Sequence, residues 1–227
     1  MIDKIVASPE AALADVPHGA TIMIGGFGNA GMPAALIDAL IAQGASSLTI
    51  VNNNAGNGDT GLAALIKAKR VRKILCSFPR QADSWHFDAL YRAGELELEL
   101  VPQGTLAERI RAAGAGVGAF YTPTAYGTRL AEGKETRRID GRDYVLEYPV
   151  HADYTIIKAD RADRWGNLTY RKSARNFAPI MAAAAKCTVV QVREIAELGA
   201  LDPESIVTPG IFVRRVVRVV TSLQKAA

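Results

Sequence analysis

The sequence predicts an α/β fold with an open, mainly parallel sheet flanked by helices and a small β-rich insertion. Two observations predict this fold. Short β-branched runs alternate with longer helical segments through the first hundred residues, and residues 119–150 break that rhythm with turns, tyrosines and charges. We therefore expect one domain over residues 1–227, with the insertion at approximately residues 119–150.

The first strand–helix–strand unit is the clearest in the chain. Residues 20–24 (ATIMI) and 47–52 (SLTIVN) have the composition of strands, and residues 33–44 between them predict a helix. Pro33 lies near the first turn of this helix and Gly44 just past its end, which is the favoured placement of both residues. The unit predicts two parallel strands joined by a right-handed crossover.

The same alternation continues along the chain. We predict helices at residues 60–70, 83–94 and 105–116, and strands at residues 71–78, 96–102, 153–159, 187–192 and 212–220. Within the insertion, residues 139–150 predict a hairpin that turns at Asp140-Gly141. Three alternating glutamates, Glu95, Glu97 and Glu99, are predicted to share one strand face as solvated or interface charges rather than as catalytic carboxylates.

Composition and charge exclude several classes of protein. Hydrophobic residues make up 49% of the chain and charged residues 22%, and no apolar run approaches the roughly 18 residues of a membrane span. The net charge of +4 is scattered among acidic residues, so we expect no nucleic-acid partner. Cys76 and Cys187 lie singly in apolar runs, which predicts core thiols of a cytoplasmic protein and no metal site.

A glycine-rich loop follows the first predicted strand. Its pattern Gly26-x-Gly28-x-x-Gly31 has dinucleotide-binding spacing, but that motif needs an acidic residue about 20 positions later. Asparagines occupy that place, and the loop also lacks the Gly-Lys-Ser/Thr ending of a P-loop. Two interpretations remain, a ligand that approaches main-chain N–H groups at a helix start or a tight structural turn.

The asparagines at the end of the second predicted strand favour a ligand site. Residues 52–54 are all asparagine, and the carboxyl ends of neighbouring parallel strands are where open sheets bind ligands. Side-chain amides are neutral N–H donors, which stabilise a developing oxyanion without changing the charge of the site.

Several longer motifs resemble the A (alpha) subunit of family I coenzyme A transferases. They occur in one order over nearly the whole chain: GGFGNAGMP, NNNAGNG, QGTLAERIRAAGAG, AFYTPTAYGT, EGKETR and WGNLTYRKSARNF. The resemblance implies a CoA-transferase-like fold and the transfer of CoA from an acyl-CoA to a free carboxylate. It also implies a catalytic glutamate that forms an acyl anhydride and then a glutamyl-CoA thioester, with the coenzyme A thioester as a substrate and no tightly bound cofactor.

The resemblance further implies a partner and a set of site residues. The family's glutamate belongs to a Ser-Glu-Asn-Gly run of its B (beta) half, which this sequence lacks. We therefore expect a partner beta subunit that carries the glutamate, in an assembly of two alpha and two beta subunits. Asn53 matches the asparagine of the family's oxyanion hole, and Gln103 matches a glutamine that lines the site. The family's coenzyme A loop corresponds to Gly25, Gly26, Phe27, Gly28, Asn29, Ala30 and Gly31.

The stretch SFPRQADS concerns the choice of acid. It resembles the corresponding region of 3-oxoadipate transferases, which implies succinyl-CoA as donor and 3-oxoadipate as acceptor. Arg80 would then hold the carboxylate that does not react, or else form a contact at the surface or between chains. Arg171, Lys172 and Arg175 are candidates for anion contacts, with a structural or interface role as the alternative. Two other functions stay open, a transferase for acetoacetate or short-chain fatty acids and a non-catalytic metabolite-binding module.

Overall fold

The structure is a computed structural model that describes residues 1–219, and its largest feature is a sheet of eight strands. In chain order, the strands of this part of the chain are β1 (Thr21–Ile24), β2 (Leu48–Val51), β3 (Val71–Cys76), β4 (Glu97–Leu100), β5 (Phe120–Thr122), β6 (Thr136–Ile139), β7 (Arg142–Glu147), β8 (Ala152–Ala162), β9 (Leu168–Thr169), β10 (Ala185–Ile195) and β11 (Arg215–Arg218). The α-helices are α1 (Pro9–Leu13), α2 (Ala34–Gln43), α3 (Leu62–Lys67), α4 (Trp85–Arg92), α5 (Gln103–Ala115) and α6 (Ala178–Ala183).

The large sheet is open and mainly parallel, as predicted. Its strand order is β11-β10-β8-β1-β2-β3-β4, every pairing along this path is parallel, and β9 pairs antiparallel with β8. Strand β1 lies at the centre, with β2 on one side and β8 on the other. The chain therefore builds the sheet outward from β1 in both directions, and the gap between β1 and β8 is its topological switch point.

The two faces of the sheet pack against different helices. Ile22 and Ile24 of β1 belong to a buried cluster that includes side chains of α1 to α4, whereas Met23 between them joins a cluster with α5 and α6. This alternation is the period of two that a strand imposes on its side chains. Both faces are covered, which explains why the strands are continuous apolar runs in the sequence.

Local signals mark the ends of the predicted elements. Helix α2 begins directly after Pro33 and ends at Gly44, whose φ of +93° is the left-handed conformation favoured at a helix C-terminus. The insertion forms a separate antiparallel sheet in the order β5-β7-β6. Asp140 and Gly141 have φ values of +47° and +79°, so the predicted hairpin turns through two residues with positive φ.

One predicted strand was wrong at its start. The run 212–220 was expected to be extended throughout, but Phe212 ends a 3₁₀ turn (Gly210–Phe212) and the strand begins only at Arg215. Pro209 and Gly210 impose this turn before the β-branched run can pair with β10. The last predicted position, Val220, lies outside the described residues.

The alternating glutamates are paired with cations. Lys73 on β3 contacts Glu97 and Glu99 of the edge strand β4, at 2.8 and 2.9 Å, and Arg109 of α5 contacts Glu99 at 2.9 Å. Burial alone would raise the pKa of Glu99, but hydrogen bonds from Lys73 and Arg109 outweigh it and lower that pKa. These carboxylates therefore hold an edge strand in place.

Within residues 1–219, none of the helices has the length and apolar character that a bilayer crossing requires. The same residues contain no group of three or more His, Cys, Asp or Glu side chains arranged to hold a metal ion.

Candidate active site

Polar groups gather at the carboxyl edge of the large sheet, around its switch point. The glycine loop follows β1, the three asparagines follow β2, and Ser77 follows β3. Gln103 begins α5 after β4, and Lys158 lies in the second half of β8. Because parallel strands all end at this edge, side chains that are far apart in sequence meet here.

The glycine loop is fixed from behind by Asn176. The Asn176 side chain accepts a hydrogen bond from the Gly26 N–H at 3.2 Å and donates one to the Ala30 carbonyl at 2.9 Å. Gly31 has a φ of +76°, and a Cβ there would lie 2.4 Å from the Ala174 carbonyl oxygen. Gly31 is therefore required by packing against residues 174–176.

Other parts of the loop are free to meet a ligand. A Cβ on Gly28 would meet no atom within 4 Å, and the N–H groups of Gly28 and Asn29 donate to no group in residues 1–219. Both residues line a cavity of about 380 Å³. The two interpretations of the glycines thus apply to different glycines, since Gly31 is structural and Gly28 lies open beside the cavity.

The three consecutive asparagines have three different environments. Asn52 is fully buried, and its amide donates to the Ile24 carbonyl at 2.6 Å, which joins the ends of β1 and β2. Asn53 makes its side-chain contacts toward β3 and α5. Asn54 lines the 380 Å³ cavity, and its Oδ1 accepts from the Gly56 N–H at 2.8 Å.

Two donors hold the Asn53 amide in one orientation. Its Oδ1 accepts hydrogen bonds from the Ser77 hydroxyl at 2.8 Å and from Gln103 Nε2 at 2.7 Å. The residue is only 4% exposed, and its Nδ2 makes no hydrogen bond within residues 1–219. A fixed amide with an unused N–H is the geometry that oxyanion stabilisation needs. The structure thus brings together Asn53 and Gln103, which are 50 positions apart in sequence.

Arg80 is paired with a carboxylate of its own chain and does not line the cavity. Its side chain is 57% exposed, and its Nε donates to Asp88 at 2.6 Å, which raises the pKa of the guanidinium and lowers the pKa of the carboxyl. The next residue, Gln81, lines the 380 Å³ cavity, whereas Arg80 does not. Arg80 must therefore exchange Asp88 for a substrate carboxylate if it is to bind one.

The basic segment after β9 borders a second cavity, of about 330 Å³. Arg171 and Lys172 line it, together with Lys158 of β8, while Arg175 does not. Lys158 is thus shared by both cavities and lies between them.

The arrangement consists of N–H donors and one cation, which favour an anion, and within residues 1–219 it lacks a carboxylate nucleophile. No carboxylate of residues 1–219 lines the 380 Å³ cavity, whose single charged side chain is Lys158. Cys76 lies directly before Ser77, but burial raises the pKa of its thiol to about 12, so it stays protonated and unreactive.

Sequence reasoning missed three residues that shape the site: Ser77, Lys158 and Asn176. Ser77 follows a strand, which was a usable signal. Lys158 lies within a predicted strand and Asn176 in a loop 150 positions from the Gly26 N–H it binds, so only the folded chain reveals their roles.

Fold and site together define a doubly wound α/β protein with a ligand crevice at its switch point and a fixed amide donor beside it. The chain belongs to the coenzyme A transferase family, whose pattern matches residues 6–219. This confirms the resemblance found in the motifs.

Individual proteins agree with this assignment. The chain is 67% identical over 219 residues to the A subunit of the 3-oxoadipate CoA-transferase of Pseudomonas putida, covering 96% of this chain and 95% of that one. It is 63% identical over 227 residues to the A subunit of the 3-oxoadipate CoA-transferase of Acinetobacter baylyi, covering 100% of both. The fold is similar to that of the acyl-CoA transferase YdiF from Escherichia coli O157:H7, with a TM-score of 0.84 and 22% identity over 96% of this chain. The chain spans about half of YdiF, 47% of its length.

Proposed function

We propose that this chain is the alpha subunit of a transferase that moves CoA from succinyl-CoA to 3-oxoadipate, with the catalytic glutamate on a separate beta subunit. The observation that carries the proposal is the Asn53 amide, which Ser77 and Gln103 hold in one orientation. The next residue, Asn54, lines a cavity that no carboxylate of residues 1–219 lines. An oxyanion donor without a nucleophile is half of the machinery for acyl transfer. The names of the two relatives described above support the acceptor acid and the assignment to the alpha half.

The proposed reaction has two halves of the same kind. The partner's glutamate carboxylate attacks the thioester carbonyl of succinyl-CoA, and the tetrahedral oxyanion accepts a hydrogen bond from Asn53 Nδ2. Collapse releases the CoA thiolate and leaves a succinyl-glutamyl anhydride, which the thiolate attacks to give a glutamyl-CoA thioester and free succinate. The carboxylate of 3-oxoadipate then attacks this thioester, and the same steps in reverse produce 3-oxoadipyl-CoA and regenerate the glutamate.

The glycine loop is our proposed contact with coenzyme A. The N–H groups of Gly28 and Asn29 have no acceptor within residues 1–219, and both residues line the same cavity as Ala34, the first residue of α2. Main-chain donors and the helix dipole favour a ligand oxygen there. The thioester is a substrate that binds and leaves, and the proposed chemistry needs no tightly bound cofactor. We assign Gln103 the positioning of Asn53, in agreement with their 2.7 Å contact.

Arg80 is our proposed contact with the unreactive carboxylate of 3-oxoadipate. A charge-assisted hydrogen bond to that group is worth about 1.5–3 kcal/mol, but exchange for Asp88 would reduce the net gain. We expect Arg80→Ala to lower turnover about tenfold more on 3-oxoadipate than on acetoacetate. Equal losses on the two acceptors would refute this assignment. Lys69→Ala, an exposed cation paired with Glu95 away from the site, is the control.

The proposal as a whole is tested by producing the chain with and without its beta partner. The chain alone is expected to be inactive with succinyl-CoA and 3-oxoadipate, and the complex active. Mass determination of the complex is expected to give two alpha and two beta subunits. If the purified chain alone transferred CoA at the rate of the complex, the division of the site between two chains would be wrong.

A panel of acceptors tests the choice of acid. The complex is offered 3-oxoadipate, acetoacetate, acetate and butyrate, and 3-oxoadipate is expected to have the highest kcat/KM. A higher kcat/KM for acetoacetate or butyrate would show that the assignment of 3-oxoadipate as the acceptor is wrong. We place the reaction in the cytoplasm, in keeping with the two free cysteines, Cys76 and Cys187.

A further inference from the structure

The 380 Å³ cavity contains polar groups that the steps above do not use. We propose that Lys158 and Asn54, with the first turn of α2, form a subsite for the far carboxylate of a dicarboxylic acyl group, as an alternative to the contact with Arg80, and that this subsite sets the preference for such groups. The inference rests on the proposed function, because it concerns the substrates of that reaction.

The charge of the cavity comes from one side chain. Among residues 1–219, Lys158 is the one charged residue that lines it, and its polar neighbours in the lining are neutral: Asn29, Asn54, Asn57, Thr60 and Gln81. None of residues 1–219 forms an ion pair with Lys158. Its neighbour Asp160 is engaged by Arg193 at 3.0 Å. An ammonium group without a counterion in a polar cavity is suited to one carboxylate.

Asn54 supplies a donor that no group among residues 1–219 uses. The residue is 2% exposed, its Oδ1 is occupied by the Gly56 N–H, and its Nδ2 has no partner among residues 1–219. Nearly all buried polar groups in proteins are hydrogen-bonded, so an orphaned amide that lines a cavity indicates a missing acceptor. A ligand oxygen is the acceptor that fits.

The third component is the start of α2. This ten-residue helix has Pro33 at its cap, which supplies no side-chain cap, and Ala34 of its first turn lines the cavity. The Ala34 N–H is bound to the Met32 carbonyl at 3.0 Å. The Leu36 N–H is already bound to Gln191 at 3.3 Å. The positive end of the helix dipole therefore faces the same space as Lys158 and Asn54, and all three favour an anion.

The position of the subsite suits a chain that reacts beside Asn53. Asn53 and Asn54 are adjacent, with Cα atoms about 3.8 Å apart, and their side chains make contacts on opposite faces of the sheet. The proposal requires an acyl chain whose carbonyl lies at Asn53 to pass over the end of β2 and place its far carboxylate at Lys158. A monocarboxylic acid would leave the ammonium and the Asn54 amide desolvated without a partner, which is a strong basis for rejection.

The test compares two acceptors in the complex of alpha and beta subunits: 3-oxoadipate and 3-oxohexanoate, which has a methyl group in place of the far carboxylate. We expect Lys158→Met to raise KM for 3-oxoadipate about 10- to 100-fold, with less than about a threefold change for 3-oxohexanoate. Lys158→Arg is expected to restore part of the loss. Asn54→Asp keeps the oxygen that accepts from the Gly56 N–H but removes the amide donor. It is expected to raise KM for 3-oxoadipate more than KM for 3-oxohexanoate.

The matched control is Lys67→Met, which removes an exposed lysine that is paired with Asp59 outside the cavity and should change neither KM. The inference would be overturned if Lys158→Met changed KM equally for the two acceptors. It would also be overturned if Arg80→Ala selectively raised KM for 3-oxoadipate while Lys158→Met did not.

Calorimetric binding of glutarate to the complex gives a readout that does not depend on transfer. Glutarate is expected to bind the wild type and to bind Lys158→Met about tenfold more weakly or worse. Unchanged glutarate binding would refute the subsite, whereas selective binding without CoA transfer would refute only the proposed function.

Discussion

Asn53→Asp replaces the unused amide nitrogen of the site with a carboxylate oxygen of nearly the same size. The remaining oxygen still accepts from Ser77 and Gln103, whose donors lie 2.8 and 2.7 Å away. The substitution therefore preserves the local hydrogen bonds but removes the donor that we assign to the oxyanion. It also brings a negative charge to the place where negative charge develops.

The expected effect follows from the number of donors lost. Removal of one oxyanion donor typically lowers kcat by about 10²–10³, or about 2.7–4 kcal/mol, and the added charge moves Asn53→Asp toward the upper end. Ser77→Ala removes only one of the two groups that hold the amide. A neutral hydrogen bond of about 1 kcal/mol corresponds to roughly a fivefold loss. Gln103→Ala should lower kcat by a similar factor, because it removes the second group that holds the Asn53 amide.

The assay is single-turnover transfer from succinyl-CoA in the complex of alpha and beta subunits, with thermal unfolding measured on every variant. The order of losses should be Asn53→Asp much greater than Ser77→Ala and Gln103→Ala, with KM for the acyl-CoA changed less than kcat. A kcat for Asn53→Asp within about threefold of the wild type, in a complex of normal stability, would refute the oxyanion role. A larger loss for Gln103→Ala than for Asn53→Asp would assign the donor to Gln103 instead.

Two further predictions concern stability and use urea unfolding of the full chain. Gly31→Ala combines a φ of +76° with a Cβ 2.4 Å from the Ala174 carbonyl oxygen, so it should lower the free energy of unfolding by about 2–4 kcal/mol. Gly28→Ala has a φ of +58° but open space around its Cβ, so it should lower that free energy by only about 1–2 kcal/mol. Equal shifts of the two urea midpoints would show that the contact with Ala174 does not add to the cost. Asp15 pairs with Arg215 through two contacts of 2.6 Å, and these hydrogen bonds lower the pKa of its carboxyl. Because the folded-state pKa is depressed, the pair stabilises above the usual carboxyl pKa and loses its effect as the pH falls through the lowered value. Asp15→Asn should therefore destabilise the protein by no more than about 1 kcal/mol at pH 7, since the Asp15 side chain is 54% exposed. The difference should shrink as the pH falls below the usual carboxyl pKa, and a difference that grew on acidification would contradict the sign.

Strongly periodic segments of the sequence were sufficient to predict the large sheet. The β1-α2-β2 unit has β-branched strands, a helix long enough to show its spacing, and Pro33 and Gly44 at its ends, all of which the structure contains. Helices α1 and α6 were not predicted, and each spans only five or six residues, too few turns for a helical period to stand out. The equally short α3 was predicted because it lies within a longer run of helical composition, residues 60–70. The start of β11 was misplaced for a related reason, since a 3₁₀ turn and a strand share the same apolar composition there.

The sequence by itself determined the fold class, the family and the loops at which a ligand is expected, because these depend on local periodicity and on motifs of consecutive residues. The missing glutamate run is also the basis for proposing that another chain supplies the nucleophile. Only the tertiary structure decided what each polar side chain of the site contacts. Asn53 meets Gln103, Gly26 meets Asn176, and Asn54 and Lys158 line one cavity, although the members of each pair are 50 to 150 residues apart. Such meetings depend on which strand ends are neighbours in the sheet and on which face each side chain points, and no local pattern in the chain encodes either.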